Sequence, residues 1–310
     1  MKTIYPYILL LLFLGTPAFV SCSDDDAEEE MEEIPQENQE PGEQPQEQDS
    51  PGFISPEILE KVTEIYSQAT IGPQRVTTVH QLAILTSLCA SREGDGPITV
   101  TRAQLNGEAV TLVTLGGTEM VDGQATSMEE SQLAAMGKSN DYLKAVVKLF
   151  NDSTISPKNP VLVSGISLGG MIAQQLLGEP QILEKFDLRA VITFGSPLTL
   201  PFDRKGVKVV RFADVHDKVP SLGESMLRMG LVKIPEMSKS QIIEKMDALD
   251  QKEKVVRTSK YSGMIETHAL SYVEDECWLD VDFLGDKAKN NVLELIERMK
   301  FYAAPKHQQK

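Results

Sequence analysis

Pro160-Val-Leu-Val-Ser-Gly-Ile-Ser-Leu-Gly-Gly170, followed by Met171-Ile-Ala-Gln-Gln-Leu-Leu177, decides how this 310-residue chain is read. The apolar, β-branched run predicts a buried strand, and the segment from Met171 predicts a helix. Between them stands Gly165-Ile166-Ser167-Leu168-Gly169, the G-x-S-x-G pattern. The bare pattern is common; a strand before it and a helix after it give it meaning. Such a turn leaves the serine hydroxyl exposed at the carboxyl edge of a sheet. Its glycines remove Cβ atoms where strand and helix crowd together, and the helix N-terminus faces developing negative charge. Ser167 is therefore the candidate nucleophile.

Working outward, Pro56 to Tyr66 has apolar residues at helical spacing with Ser55 placed to cap them. Val76 to Leu88 predicts a second helix. Ile98–Arg102 and Ala109–Leu115 predict strands joined through Asn106-Gly107, a hairpin signal. Glu129 to Phe150 reads as one long amphipathic helix. After the nucleophile come strands at Arg189–Phe194 and Val207–Phe212, a largely helical stretch to about Thr258, and a last helix near Asn291–Tyr302. Strands alternating with helices predict an α/β architecture, with a mostly parallel sheet and flanking helices.

The ends of the chain belong to other categories. Lys2 and the apolar run Ile8-Leu-Leu-Leu-Leu-Phe-Leu14 form a leader too short to span a bilayer. Phe19-Val20-Ser21-Cys22 resembles the lipobox of bacterial lipoproteins, in which the cysteine is lipidated and becomes the mature N-terminus. Ser23-Asp24-Asp25-Asp26 resembles the acidic tag that directs lipoproteins of some Gram-negative bacteria to the outer cell surface. These likenesses imply a signal peptide over 1–21, lipid at Cys22 and an outer-membrane, surface-exposed protein. Ser23 to Ser50 holds thirteen acidic residues and no basic one, so residues 22–52 read as a solvated tether. The net charge of −16 divides into +1 from Lys2, −13 from the tether and −4 from residues 51–310. That last balance gives no basic footprint for a nucleic acid. Residues 53–304 are enough for one large core or two small ones and are read as one domain, and 305–310 form a polar tail. With Cys22 assigned to lipid, Cys89 and Cys277 are left either to bridge or to stay as buried thiols.

A serine hydroxyl is a poor nucleophile until a base takes its proton, and the base needs a third group to orient it. Four histidines exist. His80 precedes the serine, His307 lies in the polar tail, and His216 shares a turn with the candidate acids. His268 is left as the base. Strand 207–212 runs into Ala213-Asp214-Val215-His216-Asp217-Lys218-Val219-Pro220, at the end of a strand where ligands bind in such sheets. Either Asp214 or Asp217 reaches an imidazole there; Asp214 could instead cap the loop, and Asp217 could pair with Lys218.

Four segments then resemble one family, the class 3 (fungal-type) lipases. Gly165-Ile-Ser-Leu-Gly-Gly170 is similar to their G-H-S-L-G-G, and Thr193-Phe194-Gly195-Ser196-Pro197 to their T-F-G-S-P. Asp217-Lys218-Val219-Pro220 resembles their D-x-V-P, and Leu115-Gly116-Gly117-Thr118 stands where they carry F-R-G-T. Ile166 replaces the usual His, and Gly116 the usual Arg. The resemblance implies an α/β-hydrolase fold, with Ser167 as nucleophile, Asp217 as orienting acid and His268 as base. It also implies oxyanion donors at the amides of Leu168 and Thr118, with the Thr118 hydroxyl as a further donor. The expected activity is hydrolysis of carboxylic esters, lipid or acylated glycan, without a cofactor. A carbohydrate-acyl esterase and a non-catalytic surface protein on the same scaffold are the alternatives.

The fifty or so residues after Asp217 carry Met226, Met229, Met237 and Met246. Flexible thioethers suit an acyl-binding wall or cap, whereas the plainer reading is amphipathic helices packed on the sheet. Glu119–Thr126 is a second, short and polar, lid position. Gly169-Gly170 is not followed by Lys-Ser/Thr, which excludes a phosphate loop, and no H-E-x-x-H or C-x-x-C supports a metal.

Overall fold

The computed structural model describes residue 64 and residues 74–87, 97–118, 125–229, 234–235, 237–274, 276–286, 290–297 and 300–304. In chain order its elements are β1 (Arg75–Val76), α1 (Val79–Ser87), β2 (Ile98–Leu105), β3 (Glu108–Leu115), α2 (Met128–Ala135), α3 (Asp141–Asn151), β4 (Val161–Ile166) and α4 (Leu168–Gln175). They continue with α5 (Pro180–Lys185), β5 (Leu188–Phe194), β6 (Lys208–Asp214), α6 (Leu222–Met229), α7 (Lys239–Glu253), β7 (Lys254–Arg257), α8 (Met264–Glu274), β8 (Leu293–Leu295) and β9 (Lys300–Tyr302). The described strands form one nine-stranded sheet ordered β1-β8-β2-β3-β4-β5-β6-β7, with β9 paired to β2. Every neighbouring pair from β3 to β7 is parallel. The remaining strands extend the sheet antiparallel from β2. The class is α/β.

The strands are apolar on both faces because both faces are covered. Val161 and Val163 of β4 enter one core with Tyr142, Val146 and Phe150 of α3 and Met171 and Ile172 of α4. Leu162 and Ile166 of the same strand enter the opposite core with Leu82 of α1, Tyr272 of α8, Phe194, Phe212 and Trp278. That alternation is the period-two signature of a pleated strand. Parallel pairing also has a functional consequence. The carboxyl ends of β3, β4, β5 and β6, four adjacent strands, fall on one sheet edge, where Thr118, Ser167, Gly195 and Asp217 follow them.

Several elements differ from expectation. The helix read across Glu129–Phe150 is two helices. Gly137, at φ 68°, ends α2 with the paired bonds Gly137 N–H to Ala134 O and Lys138 N–H to Leu133 O, the Schellman arrangement. Asn140 then caps α3 by accepting from Leu143 N at 2.8 Å. The second helix begins at Val79, not Val76, because Arg75 and Val76 pair with β8. The helical stretch expected to Thr258 ends in β7, which adds to β6. The last helix expected near Asn291–Tyr302 is absent: β8 and β9 both pair with β2. The helix at 56–66 lies outside the described residues apart from Glu64, as do the leader, the tether, Cys89 and His307.

The methionine-rich stretch resolves toward packing. Met246 of α7 is buried with Ile242 and Leu198, and Met237 rests against them. The Met226 and Met229 side chains lie outside the described residues, as does most of the second lid position, at 119–124. No helix among the described residues is long and apolar enough to cross a membrane.

Candidate active site

Ser167 takes φ 54° and ψ −120° between β4 and α4, a strained combination for a residue with a side chain. The surroundings enforce it. Ser167 N–H donates to Phe194 O at 2.9 Å, carrying the β4–β5 ladder one residue past the strand. A Cβ on Gly169 would strike the carbonyl oxygens of Leu115 and Gly116, and one on Gly165 would strike Gly169. The glycines of the motif are therefore what lets α4 start hard against the ends of β3 and β4.

The loop after β3 passes beside the serine: a Cβ on Gly117 would lie 3.4 Å from Ser167 Cβ. Both residues whose amides are expected to hold an oxyanion are buried, Leu168 at 0% and Thr118 at 5% exposure. No acceptor among the described residues meets either N–H. Buried amides are almost always paired, so two amides without a partner among the described residues, beside one serine, suit an acceptor there. The Thr118 hydroxyl does not join them. It lies 2.9 Å from Ser131 Oγ, whose own proton goes to Ser127 O at 3.0 Å. Thr118 must therefore donate to Ser131, which fixes the loop through its side chain and leaves only its amide for a ligand.

Asp214 and Asp217 differ in their partners. Asp214 Oδ1 accepts from His216 N at 2.8 Å and Oδ2 from Ser259 N at 3.0 Å. Its carboxylate ties the strand end to the loop before α8. His216 Nδ1 lies 2.7 Å from the Tyr261 carbonyl, to which it can only donate, and so it is a second tie to that loop. Asp217 Oδ2 instead lies 2.9 Å from His268 Nδ1, with the carboxylate fully buried and the imidazole side chain 12% exposed. An ionised carboxylate only accepts, so Nδ1 carries the proton and the neutral ring has its lone pair on Nε2. Asp217 Oδ1 accepts from Val219 N at 2.9 Å, a bond made possible by the two-residue spacing in Asp217-Lys-Val219.

Ser167 Oγ and His268 Nε2 are not hydrogen-bonded to each other in this structure. Such bonds are often long before substrate binds. The two residues nevertheless share a floor. Gly195 follows the Phe194 carbonyl that holds Ser167, and a Cβ on it would lie 3.0 Å from His268 Cε1 and 2.9 Å from Asp217 Oδ2. Ser167, Asp217, His268, Leu168 and Thr118 thus gather at one sheet edge. His80 sits elsewhere, on α1, where burial lowers its pKa and a bond to the Val273 backbone partly offsets that.

Sequence reasoning gave no role to Ser131, to Gly195 or to Tyr272, whose hydroxyl donates to Asp217 Oδ2 at 2.8 Å. The last had a signal: it stands four residues after His268, one helical turn away. Among the described residues no cluster of His, Cys, Asp and Glu could hold a metal. No family model, curated protein or solved structure matches the chain.

Proposed function

We propose that the protein is a serine hydrolase of α/β-hydrolase type, similar to the class 3 lipases, that cleaves carboxylic esters through an acyl-enzyme. The observation that carries this reading is the grouping, at the carboxyl edge of the sheet, of a strained Ser167, two amides with no partner among the described residues, and a buried Asp217 bonded to the half-buried His268 of α8. Ser167 Oγ attacks the ester carbonyl carbon while His268 Nε2 takes the hydroxyl proton. Asp217 holds the ring in the required tautomer and offsets the imidazolium charge. The oxyanion accepts from the Leu168 and Thr118 amides, each such donor being worth ~3 kcal/mol in the transition state. The intermediate collapses, the C–O bond breaks, and the leaving alkoxide receives the proton from His268. Water then repeats the sequence on the acyl-enzyme and releases the acid.

The leader adds a place of action. Lipid on Cys22 and the acidic tether would hold the hydrolase at the outer face of an outer membrane, within reach of lipid or acylated-glycan esters. Ser167→Ala tests the chemistry. Turnover of short aryl esters and labelling by a fluorophosphonate probe should both vanish in the folded variant, and unchanged turnover would sink the reading.

A further inference from the structure

Of the three donors that hold Asp217, two play no part in the reaction above: the Val219 amide, on Oδ1, and the phenol of Tyr272, on the oxygen that faces His268. We infer that Tyr272 is a positioning residue that locks Asp217 against His268 and sets how much carboxylate charge the imidazole feels. This rests on the hydrolase reading of the site.

His268 and Tyr272 rise from the same face of α8, and both reach the same oxygen, Asp217 Oδ2, at 2.9 and 2.8 Å. The direction of the phenol's bond is fixed by its other partner. Asp214 N–H donates to the Tyr272 oxygen at 3.0 Å. An amide can only donate, so the phenol receives that bond and sends its own proton to Asp217. The result is a one-way chain from the Asp214 amide through Tyr272 to Asp217, meeting the bond from His268 at its end. Its middle member cannot swing. The ring is fully buried, stacked on Trp278 with centroids 5.7 Å apart and tilted against Phe194 at 6.3 Å. Burial, then the Asp217 charge, holds the phenol well above its ordinary value of 10, so it stays a donor throughout the working range of an esterase.

A hydrogen bond to a carboxylate draws charge from the oxygen that accepts it. With the phenol gone, more of that charge bears on the imidazolium, and the base keeps its proton to higher pH. Among the described residues, the charged and titratable groups around His268 are few. Asp217 faces it from the acid loop and Tyr272 from its own helix. Asp214, at the end of β6, is occupied by the His216 and Ser259 amides. His80 on α1 meets α8 through the backbone of Val273, and the uncharged Gly195, just past β5, lies against the His268 ring.

The test is kcat/KM against pH for a soluble aryl ester, using the full chain in three forms: wild type, Tyr272→Phe, and protein carrying 3-fluorotyrosine at position 272. In Tyr272→Phe the acid limb should move up by about half a pH unit, with kcat down on the order of tenfold and KM little changed. The fluorinated phenol is the stronger donor, so its acid limb should move down. Should the Phe variant fail to fold by circular dichroism, the fluorinated protein decides alone. Acid limbs that coincide with wild type overturn the inference. Ser167→Ala is assayed in parallel: turnover surviving there refutes the hydrolase reading itself, whereas a dead Ser167→Ala with unmoved limbs refutes only the role of Tyr272.

Discussion

Gly195→Ala probes the geometry of the Asp217–His268 pair without removing any group used by the proposed reaction. Gly195 sits at φ 55°, where an alanine incurs roughly 1–2 kcal/mol of backbone strain. The new methyl would lie 2.9 Å from Asp217 Oδ2, 2.9 Å from Tyr272 Cε2 and 3.0 Å from His268 Cε1. Ordinary contact begins near ~3.5 Å, so these atoms must retreat by about half an ångström. None can do so alone. Asp217 is held by Val219, Tyr272 and His268, and Tyr272 is wedged between Phe194 and Trp278. The retreat therefore lengthens the 2.9 Å His268–Asp217 bond, and misplacement on this scale costs on the order of a hundredfold in rate. Gly206→Ala is the control, because Gly206 has φ 80° but nothing within 4 Å of a Cβ. Both variants should lose ~1–2 kcal/mol in urea unfolding from strain. In steady-state aryl ester hydrolysis only Gly195→Ala should lose kcat, with KM nearly unchanged. A folded Gly195→Ala whose kcat stays within about twofold of Gly206→Ala would refute the reasoning.

Arg204 and Glu253 form a buried bidentate pair at 2.8 and 3.0 Å, which joins the loop after β5 to the end of α7. Arg204→Ala strands the Glu253 charge and should cost ~3–5 kcal/mol in urea unfolding, whereas Arg204→Met combined with Glu253→Leu should recover most of it. Burial holds His80 below its ordinary value of 6.5, so below about pH 6.5 the unfolded chain binds the proton more readily and stability falls with pH. The drop in melting temperature between pH 7.5 and 5.5 should accordingly be smaller in His80→Gln than in wild type.

The parts of the fold legible in the sequence are those fixed by local chemistry. Asn106 and Gly107 both take positive φ, at 52° and 86°, the geometry that makes the pair a hairpin turn. β4, β5 and β6 were legible because strands buried on both faces read as unbroken apolar runs. The break between α2 and α3 was hidden by apolar periodicity that continues across it, although Gly137 and Asn140 are the stop and start signals. β8 and β9 were illegible for a different reason. Their segment has helix-forming residues at helical spacing, but Leu293 is wholly buried opposite Leu105 and Val76, and sheet pairing at β2 outweighs local propensity. The site divides in the same way. Gly165, Ser167 and Gly169 are consecutive demands of one turn and so appear as a motif. The bond from Tyr272 to Asp217 joins residues 55 apart, and no local pattern encodes it.

The two halves of the site are held by different physics. Ser167 occupies a conformation that costs ~1–3 kcal/mol by itself, and it persists because the Phe194 carbonyl and the glycine contacts around Leu115 leave the turn no room to relax. The Asp217–His268 pair draws instead on the interior. Phe194 stacks on Phe212 at 5.6 Å, Phe212 meets Trp278 edge-on at 5.7 Å, and Trp278 stacks on Tyr272. This aromatic group fills the core on one face of the sheet and at the same time aims the Tyr272 hydroxyl at Asp217. A close-packed interior does not yield to small displacements one side chain at a time. A substitution at Phe212 or Trp278 should therefore reach the Asp217–His268 distance through the Tyr272 ring, so at this end of the sheet core packing and the proposed proton transfer depend on the same residues.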